Sequence, residues 1–146
     1  MTDDRSWTFA YAGLPDEGAI EPPQIWIDLR GPKRQWEYPC LLDSGASFSA
    51  LPLEAADELG IDQELLEPTE IRTALGRRRV LHLRRSDLIS ACWSDQTIPI
   101  SPFFMPPEII EDERFETDAY ILGRDFFLSV EVTFRQAAAE VILRPI

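Results

Sequence analysis

The sequence predicts an all-β domain with one or two short helices. Apolar runs are short, and turn residues separate them roughly every 8–12 residues, a spacing that is typical of a barrel or a sandwich. The chain has 146 residues, 45% of them hydrophobic, which is enough to bury a core without disulfides or metal. We find no internal repeat and no low-complexity segment, so the chain is treated as one domain.

The first part of the chain predicts an N-terminal extension and then two paired strands. Residues 1–23 contain one strand-like run, 7–11, followed by a segment rich in glycine, proline and acidic residues. We place the domain at residues 24–146, because the run 24–29 alternates apolar and polar residues as a strand does. A Gly-Pro turn then leads into the returning strand, 36–42.

The central part predicts a helix and a hairpin. An extended run at 49–51 precedes residues 52–60, which begin with proline and end with glycine, as many helices do. Two extended arms, 69–74 and 79–83, then lie on either side of Leu75-Gly76. A glycine between two strand-like runs predicts a hairpin with its tip at that glycine.

The last third predicts more strands and a second short helix. The predicted strands are short apolar or β-branched runs between turn residues: 88–93, 97–100, 120–122, 130–134 and 140–143. Residues 106–118 are acidic and show no periodicity, so we expect a loop there. The short helix is predicted at 124–128.

Asp43-Ser44-Gly45-Ala46 is the stretch with the clearest chemical meaning. It follows the apolar run Cys40-Leu41-Leu42, so we expect a partly desolvated carboxylate on a tight turn at the end of a buried strand. Gly45 permits a strained turn and a close approach of backbone to a ligand. The alternative interpretation is an ordinary turn, because Asp, Ser and Gly are common turn formers.

A second run, Ile121-Leu122-Gly123-Arg124-Asp125, lies about 80 residues further along. It predicts an apolar strand that stops at a glycine and enters a short helix. Together with the 43–46 motif and the helix that follows it, this run resembles the two signatures of retropepsin-like aspartyl proteases, the single-domain relatives of pepsin. The resemblance covers about residues 20–146.

The resemblance implies a closed barrel with Asp43 as the catalytic residue. It also implies that Ser44, Gly45 and Ala46 support the active-site loop and that the run 121–125 packs behind it. The hairpin 69–83 would be the flap over the cleft, with its tip at Ala74, Leu75, Gly76 and Arg77. Because the chain has one Asp-Ser-Gly, half of the site would come from a second copy. A homodimer is therefore expected, with the apolar C-terminal strand, 140–146, as a candidate for its seam.

The activity that the resemblance implies is endopeptidase cleavage of polypeptides. Two carboxylates about 3 Å apart share one proton, because both cannot ionise. The ionised one then takes a proton from the attacking water, and the protonated one polarises the peptide carbonyl. This chemistry implies no metal and no cofactor. The alternative is a dimer of the same fold that binds peptides or assembles proteins without cleaving them.

Two departures from the retroviral pattern keep this alternative open. Where the retroviral motif continues with a second aspartate, which pairs with the arginine of Gly-Arg, this chain has Ser47. Arg124 therefore needs another partner, either Asp125 or a carboxylate from the second chain. The flap is also poor in glycine, since only Gly76 lies at its tip, and it is expected to be stiffer or shorter.

The net charge of −12 argues against nucleic acid as a partner, because phosphate binding needs a cationic surface. Six arginines nevertheless lie within 72–85, namely Arg72, Arg77, Arg78, Arg79, Arg84 and Arg85. They predict either a solvated hairpin face or a basic rim over the cleft that favours acidic ligands.

The remaining residues indicate little further chemistry. The single histidine, His82, alternates with two leucines and is expected to face solvent. Cys40 and Cys92 have no metal-site spacing, and Cys40 is expected in the core. No apolar run is long enough for a membrane span, and the polar, acidic N-terminus does not resemble a secretory signal. A cytoplasmic protein with no membrane partner is therefore expected.

Overall fold

The computed structural model describes residues 5–13, 21–73, 75–83, 87–113 and 120–146. These residues form twelve strands: β1 (Trp7–Ala10), β2 (Gln24–Arg30), β3 (Gln35–Leu42), β4 (Ala50–Pro52), β5 (Leu66–Thr73), β6 (Gly76–Leu83), β7 (Ile89–Trp93), β8 (Gln96–Ile100), β9 (Phe103–Met105), β10 (Ile121–Leu122), β11 (Val130–Arg135) and β12 (Glu140–Pro145). They also form three short helices, α1 (Leu53–Leu59), α2 (Pro107–Glu113) and α3 (Arg124–Phe127), and two 3-10 turns, Gln63–Leu65 and Gln136–Ala138. The predicted all-β class with a few short helices is confirmed.

Nine strands form one sheet in the order β5-β6-β9-β4-β10-β3-β2-β7-β8. This sheet curls into a half-barrel. Its concave side holds the core, whose largest fully buried side chains include Phe104, Phe126, Ile25, Leu51 and Leu122. Inward-facing apolar residues alternate with outward-facing polar ones along β2, which is why Ile25, Ile27 and Leu29 are all buried.

The other three strands form a second sheet in the order β1-β12-β11. Strand β1 pairs antiparallel with β12, with Trp7 opposite Leu143. The rings of Trp7 and Phe9 then meet Trp93 edge-on at 6.1 and 6.2 Å between centroids. The strand expected at 7–11 is therefore present and packs on the main sheet, although its segment was expected to lie outside the domain. Whether residues 1–23 form a separate extension stays a prediction.

Most predicted elements are present, with boundaries shifted by a few residues. Helix α1 ends as expected, since Gly60 follows it at φ 79°, a left-handed conformation that glycine adopts without strain. The predicted loop at 106–118 is wrong over 107–113, which form α2; residues 114–118 lie outside the described ranges. Strand β9 was not predicted. No helix in the described ranges is long and apolar enough to cross a membrane.

Candidate active site

The Asp43 loop is held in place by the short strand β10. This strand runs parallel to the end of β3, with Ile121 opposite Leu41 and Leu122 opposite Leu42. The backbone N–H of Asp43 donates to the carbonyl of Leu122 at 3.0 Å. The apolar pair at 121–122 therefore fixes the point at which the chain leaves β3 and turns toward the cleft.

The turn itself orients the carboxylate. The backbone N–H of Gly45 donates to Oδ1 of Asp43 at 2.9 Å, and that of Ala46 donates to the Asp43 carbonyl at 3.2 Å. A Cβ at residue 45 would lie 3.1 Å from Oδ1, so glycine leaves room for this contact. Asp43 is half-buried, whereas Ser44 and Gly45 are exposed. One oxygen of the carboxylate is thus held by the backbone of its own turn.

Gly123 allows the second signature to pack against this loop. A Cβ at residue 123 would lie 2.6 Å from the backbone of Phe48 and 2.8 Å from the carbonyl of Ala46. Directly after it, the N–H of Arg124 donates to that same Ala46 carbonyl at 2.8 Å. The glycine is therefore required by close backbone contact, and helix α3 begins directly behind the Asp43 loop.

Asp125 ties together three segments around the loop. Its Oδ1 accepts hydrogen bonds from the backbone N–H of Ser49 at 2.7 Å and from Ser49 Oγ at 2.8 Å, and its Oδ2 accepts one from the Ser101 N–H at 3.0 Å. The fully buried Ser49 hydroxyl also accepts a hydrogen bond from the Gly123 N–H at 3.1 Å. No pattern in the sequence indicates a contact between Ser49 and Asp125, so Ser49 was not predicted to belong to the site.

The partner of Arg124 within the chain is a hydroxyl. Its Nη2 donates to Ser47 Oγ at 2.8 Å, while Asp125 is engaged with the two serine segments described above. The expectation that Asp125 would pair with Arg124 is therefore wrong. The other expected partner, a carboxylate from a second chain, stays a prediction.

A cleft of about 590 Å³ opens between the Asp43 loop and the flap strands. Its lining joins the loop, β4, β9, β10 and the end of β5: Gly45, Ala46, Ser47, Phe48, Ala50, Ile71, Arg72, Thr73, Phe103, Met105 and Ile121. Most of this lining is apolar. The cleft is therefore suited to an extended chain with apolar side chains beside the half-buried carboxylate.

The flap is a hairpin in which β5 ends at Thr73 and β6 begins at Gly76. Of its predicted tip, Leu75 is 61% exposed, and Gly76 has φ 105°, which favours glycine. The Thr73 hydroxyl accepts a hydrogen bond from the Leu75 N–H at 3.2 Å. Ala74, also predicted at the tip, lies outside the described residues. The strands begin earlier than predicted, at Leu66 in β5 and at Gly76 in β6.

The flap arginines are distributed over both faces of the hairpin. Arg78 forms an ion pair with Asp112 of α2 at 2.9 Å. Arg79 lies opposite Glu70 in the strand register, and Arg77 lies 3.9 Å from the same glutamate. Because side chains alternate along a strand, Arg77 and Arg79 lie on the face opposite Arg78. These contacts favour the solvated-face interpretation for Arg77 and Arg79; Arg84 and Arg85 lie outside the described residues.

His82 does not face solvent, so that expectation is wrong. It is half-buried, with its ring centroid 4.6 Å from that of Phe103 and 5.2 Å from that of Phe48. The cause is β9, which pairs with β6 and places Phe103 beside His82. Phe48 and Phe103 line the cleft, and His82 packs against both of their rings.

Buried groups behind the loop are held in their neutral forms. Burial raises the pKa of the Cys40 thiol, which is fully buried as expected. Tyr38 and Tyr120 stack at 4.8 Å between ring centroids. Burial and then the charge of Glu58 raise the pKa of Tyr120 to about 12 and also raise that of Tyr38. These neutral groups give the loop an apolar support.

This fold and this loop, with one carboxylate on a glycine turn and an apolar strand and glycine packed behind it, define the aspartyl protease class. A family model described as "Aspartyl protease" matches residues 30–126, about two thirds of the chain, including Asp43 and Gly123. The chain therefore belongs to the aspartyl protease family, and the predicted retropepsin-like resemblance is confirmed.

A solved structure supports the same fold. A retropepsin-like aspartic protease from Rickettsia conorii superposes with a TM-score of 0.63 at 18% sequence identity, covering 99% of this chain and 94% of that chain. At this identity the likeness shows the fold alone. Among curated proteins, no match to the chain is found.

Proposed function

We propose that this protein is an aspartic endopeptidase that cleaves polypeptides with a pair of Asp43 carboxylates, one from each of two chains. The observation that carries the proposal is the Asp43 turn, in which the Gly45 amide orients the carboxylate at the edge of a mostly apolar cleft. The family match includes this turn. No metal and no cofactor take part in the proposed reaction.

The proposed dimer follows from the single motif. One Asp-Ser-Gly supplies one carboxylate, and the dyad needs two that are close enough to share a proton. Ser44, Gly45 and Ser47 are exposed in the single chain, as is Phe48 at 38%. A two-fold axis beside Ser44 and Gly45 would cover that turn and bring the two Asp43 side chains together, while Ser47 and Phe48 stay open to the cleft that they line.

We place the dimer interface at the second sheet, but no longer at the strand β12 that the sequence suggested. Strand β12 is paired on both sides, to β1 and to β11, so its backbone is not available to a partner strand over 140–143. The edge of β11 and the exposed side chains of Leu128 and Ile146, at 81% and 75%, are better candidates. The Ile146 N–H donates to the Ser129 carbonyl, so these two side chains lie at the same end of the sheet.

In the proposed mechanism, the extended substrate lies in the cleft under the flap. The ionised Asp43 takes a proton from a water molecule while the water oxygen attacks the carbonyl carbon of the peptide bond. The protonated Asp43 of the second chain donates a hydrogen bond to the carbonyl oxygen. Collapse of the tetrahedral intermediate breaks the C–N bond, and the departing nitrogen receives a proton from the pair. The titration belongs to the pair.

A non-cleaving peptide-binding dimer is the second candidate. The observation that favours it is the link between the flap and α2, through the Arg78–Asp112 ion pair, which restrains a hairpin that has one glycine at its tip. A restrained flap would admit substrate slowly. Such a dimer would bind peptides in the same cleft without cleaving them.

The test is digestion of a pooled peptide library by the wild type and by Asp43→Asn. Cleavage that is blocked by pepstatin and lost in Asp43→Asn supports the proposal, provided that the control Asp57→Asn, an exposed carboxylate on α1, cleaves normally. Sedimentation should give twice the 16.7 kDa chain mass for all three proteins. Binding of peptides without cleavage by the wild type would favour the second candidate.

A cytoplasmic location is part of the proposal. Cys40 and Cys92 are both free and buried, which is compatible with a reducing compartment.

A further inference from the structure

We propose that Arg124 is a specificity-determining residue that binds an acidic side chain of the peptide substrate at a position flanking the scissile bond. The inference rests on the proposed function in assuming that a peptide occupies the cleft. It differs from the rim expected from the sequence, because Arg78 is paired with Asp112, and Arg77 and Arg79 lie beside Glu70 and outside the cleft lining.

The first observation is the charge of the cleft. The chain has 26 acidic and 14 basic residues, yet among the described residues that line the cleft only Arg72 is charged. Asp43 lies next to this lining, on the same loop. Apart from the catalytic Asp43 beside it, the described lining of this cleft carries no carboxylate, so the Arg72 and Arg124 charges near it favour acidic side chains at positions away from Asp43.

The second observation is the state of Arg124. Its guanidinium has five N–H donors, and the described residues give it one side-chain partner, the neutral hydroxyl of Ser47. None of the ion pairs between described residues includes Arg124 or Arg72. The positive charge of Arg124 is therefore not neutralised by a carboxylate of this part of the chain.

The third observation is where this charge lies. Ser47 lines the cleft, and Nη2 of the exposed Arg124 is 2.8 Å from its Oγ, so the guanidinium lies next to the cleft lining at Ser47. Ser47 is four residues beyond Asp43 along the loop, which separates the bound acidic group from the catalytic carboxylate. A Glu or Asp side chain passing Ser47 can accept parallel hydrogen bonds from the remaining guanidinium donors.

The test measures binding as well as cleavage. A pooled library of decapeptides carries two apolar residues at the centre and Glu or Gln at each flanking position. Captured peptides are quantified on Asp43→Asn protein, so the readout does not need catalysis, and cleavage of the same pool is measured with the wild type. We expect Glu to be enriched over Gln by about threefold to fivefold at one flanking position, and less at high salt.

Three variants separate this proposal from its rivals. In the Asp43→Asn background, Arg124→Gln should bring the Glu/Gln ratio close to one, and Ser47→Asp should do the same by neutralising Arg124 within the chain. Arg79→Gln removes the same charge from a flap residue that is not in the cleft lining and should keep the ratio. All three should sediment as the parent protein does.

The outcomes are distinct from those of the proposed function. If the wild type cleaves no peptide but Glu peptides are still captured in preference to Gln peptides, the proposed endopeptidase activity is rejected. Arg124 then remains a residue that recognises acidic side chains. Equal capture of Glu and Gln peptides, no capture of either, or a preference that survives Arg124→Gln would overturn the proposal. Loss of the dimer in Arg124→Gln would also overturn it, since Arg124 would then bind the second chain.

Discussion

At the residue scale, Ser49 connects the two motifs that define the site. Its side chain is fully buried. The hydroxyl donates a hydrogen bond to Asp125 and accepts one from the backbone N–H of Gly123, so it acts as both donor and acceptor. Leaving a buried donor or acceptor without a partner costs more than the bond itself contributes. The geometry of the Asp43 loop therefore depends on a residue outside either motif.

We expect Ser49→Ala to destabilise the protein by about 1–3 kcal/mol, because it leaves a carboxylate oxygen and a backbone N–H with fewer partners. Urea unfolding followed by tryptophan fluorescence measures this difference. Ser6→Ala, at an exposed position, is the matched control and should stay within about 0.5 kcal/mol of the wild type. A Ser49 variant as stable as the control would show that the hydroxyl contributes nothing.

At the element scale, α2 supports the flap from the side. Val80 of β6, Met105 of β9 and Ile109 of α2 form a small buried cluster separate from the main core. Arg78 lies on the same face of β6 as Val80 and pairs with Asp112 at 2.9 Å. The base of the flap is therefore anchored to the helix, while its tip at Leu75 stays exposed.

This anchoring predicts a change in flap dynamics. Arg78→Met keeps most of the aliphatic stem but removes the charge, so amide exchange over residues 76–83 should become about twofold to fivefold faster. Hydrogen–deuterium exchange with mass spectrometry measures it. Arg79→Met, on the opposite face, should leave the exchange of that segment as it is in the wild type; equal rates in both variants would reject the anchor.

The elements differ in how well the sequence predicts them. Strands such as β2 alternate strictly because one face is buried and the other is exposed, so their pattern is local. Helix α2 had a usable signal, a proline and a glutamate at its first positions, which the acidic composition obscured. The hydroxyl partner of Arg124 was not predictable, because the two residues lie 77 positions apart and their contact depends on the packing of α3.

At the scale of the whole molecule, the proposed site is symmetric, with half of it provided by each chain. Strand β10 pairs with the end of β3, which places the strand–glycine motif beside Asp43. The sequence could not predict that β1 would cover the outer edge of β12, because strand pairing over more than 130 residues is a property of the complete fold. The proposed dimer therefore uses other edges and faces of the second sheet.

The most direct test of the central claim is activity in mixtures of wild type and Asp43→Asn. If each dyad takes one Asp43 from each chain, an equal mixture after complete exchange contains about one quarter wild-type dimers. Native mass spectrometry of chains with different tags confirms the exchange. Our account predicts that cleavage falls to about one quarter of that of the same total concentration of wild type. A fall to about one half would contradict it, because each chain would then carry a complete site.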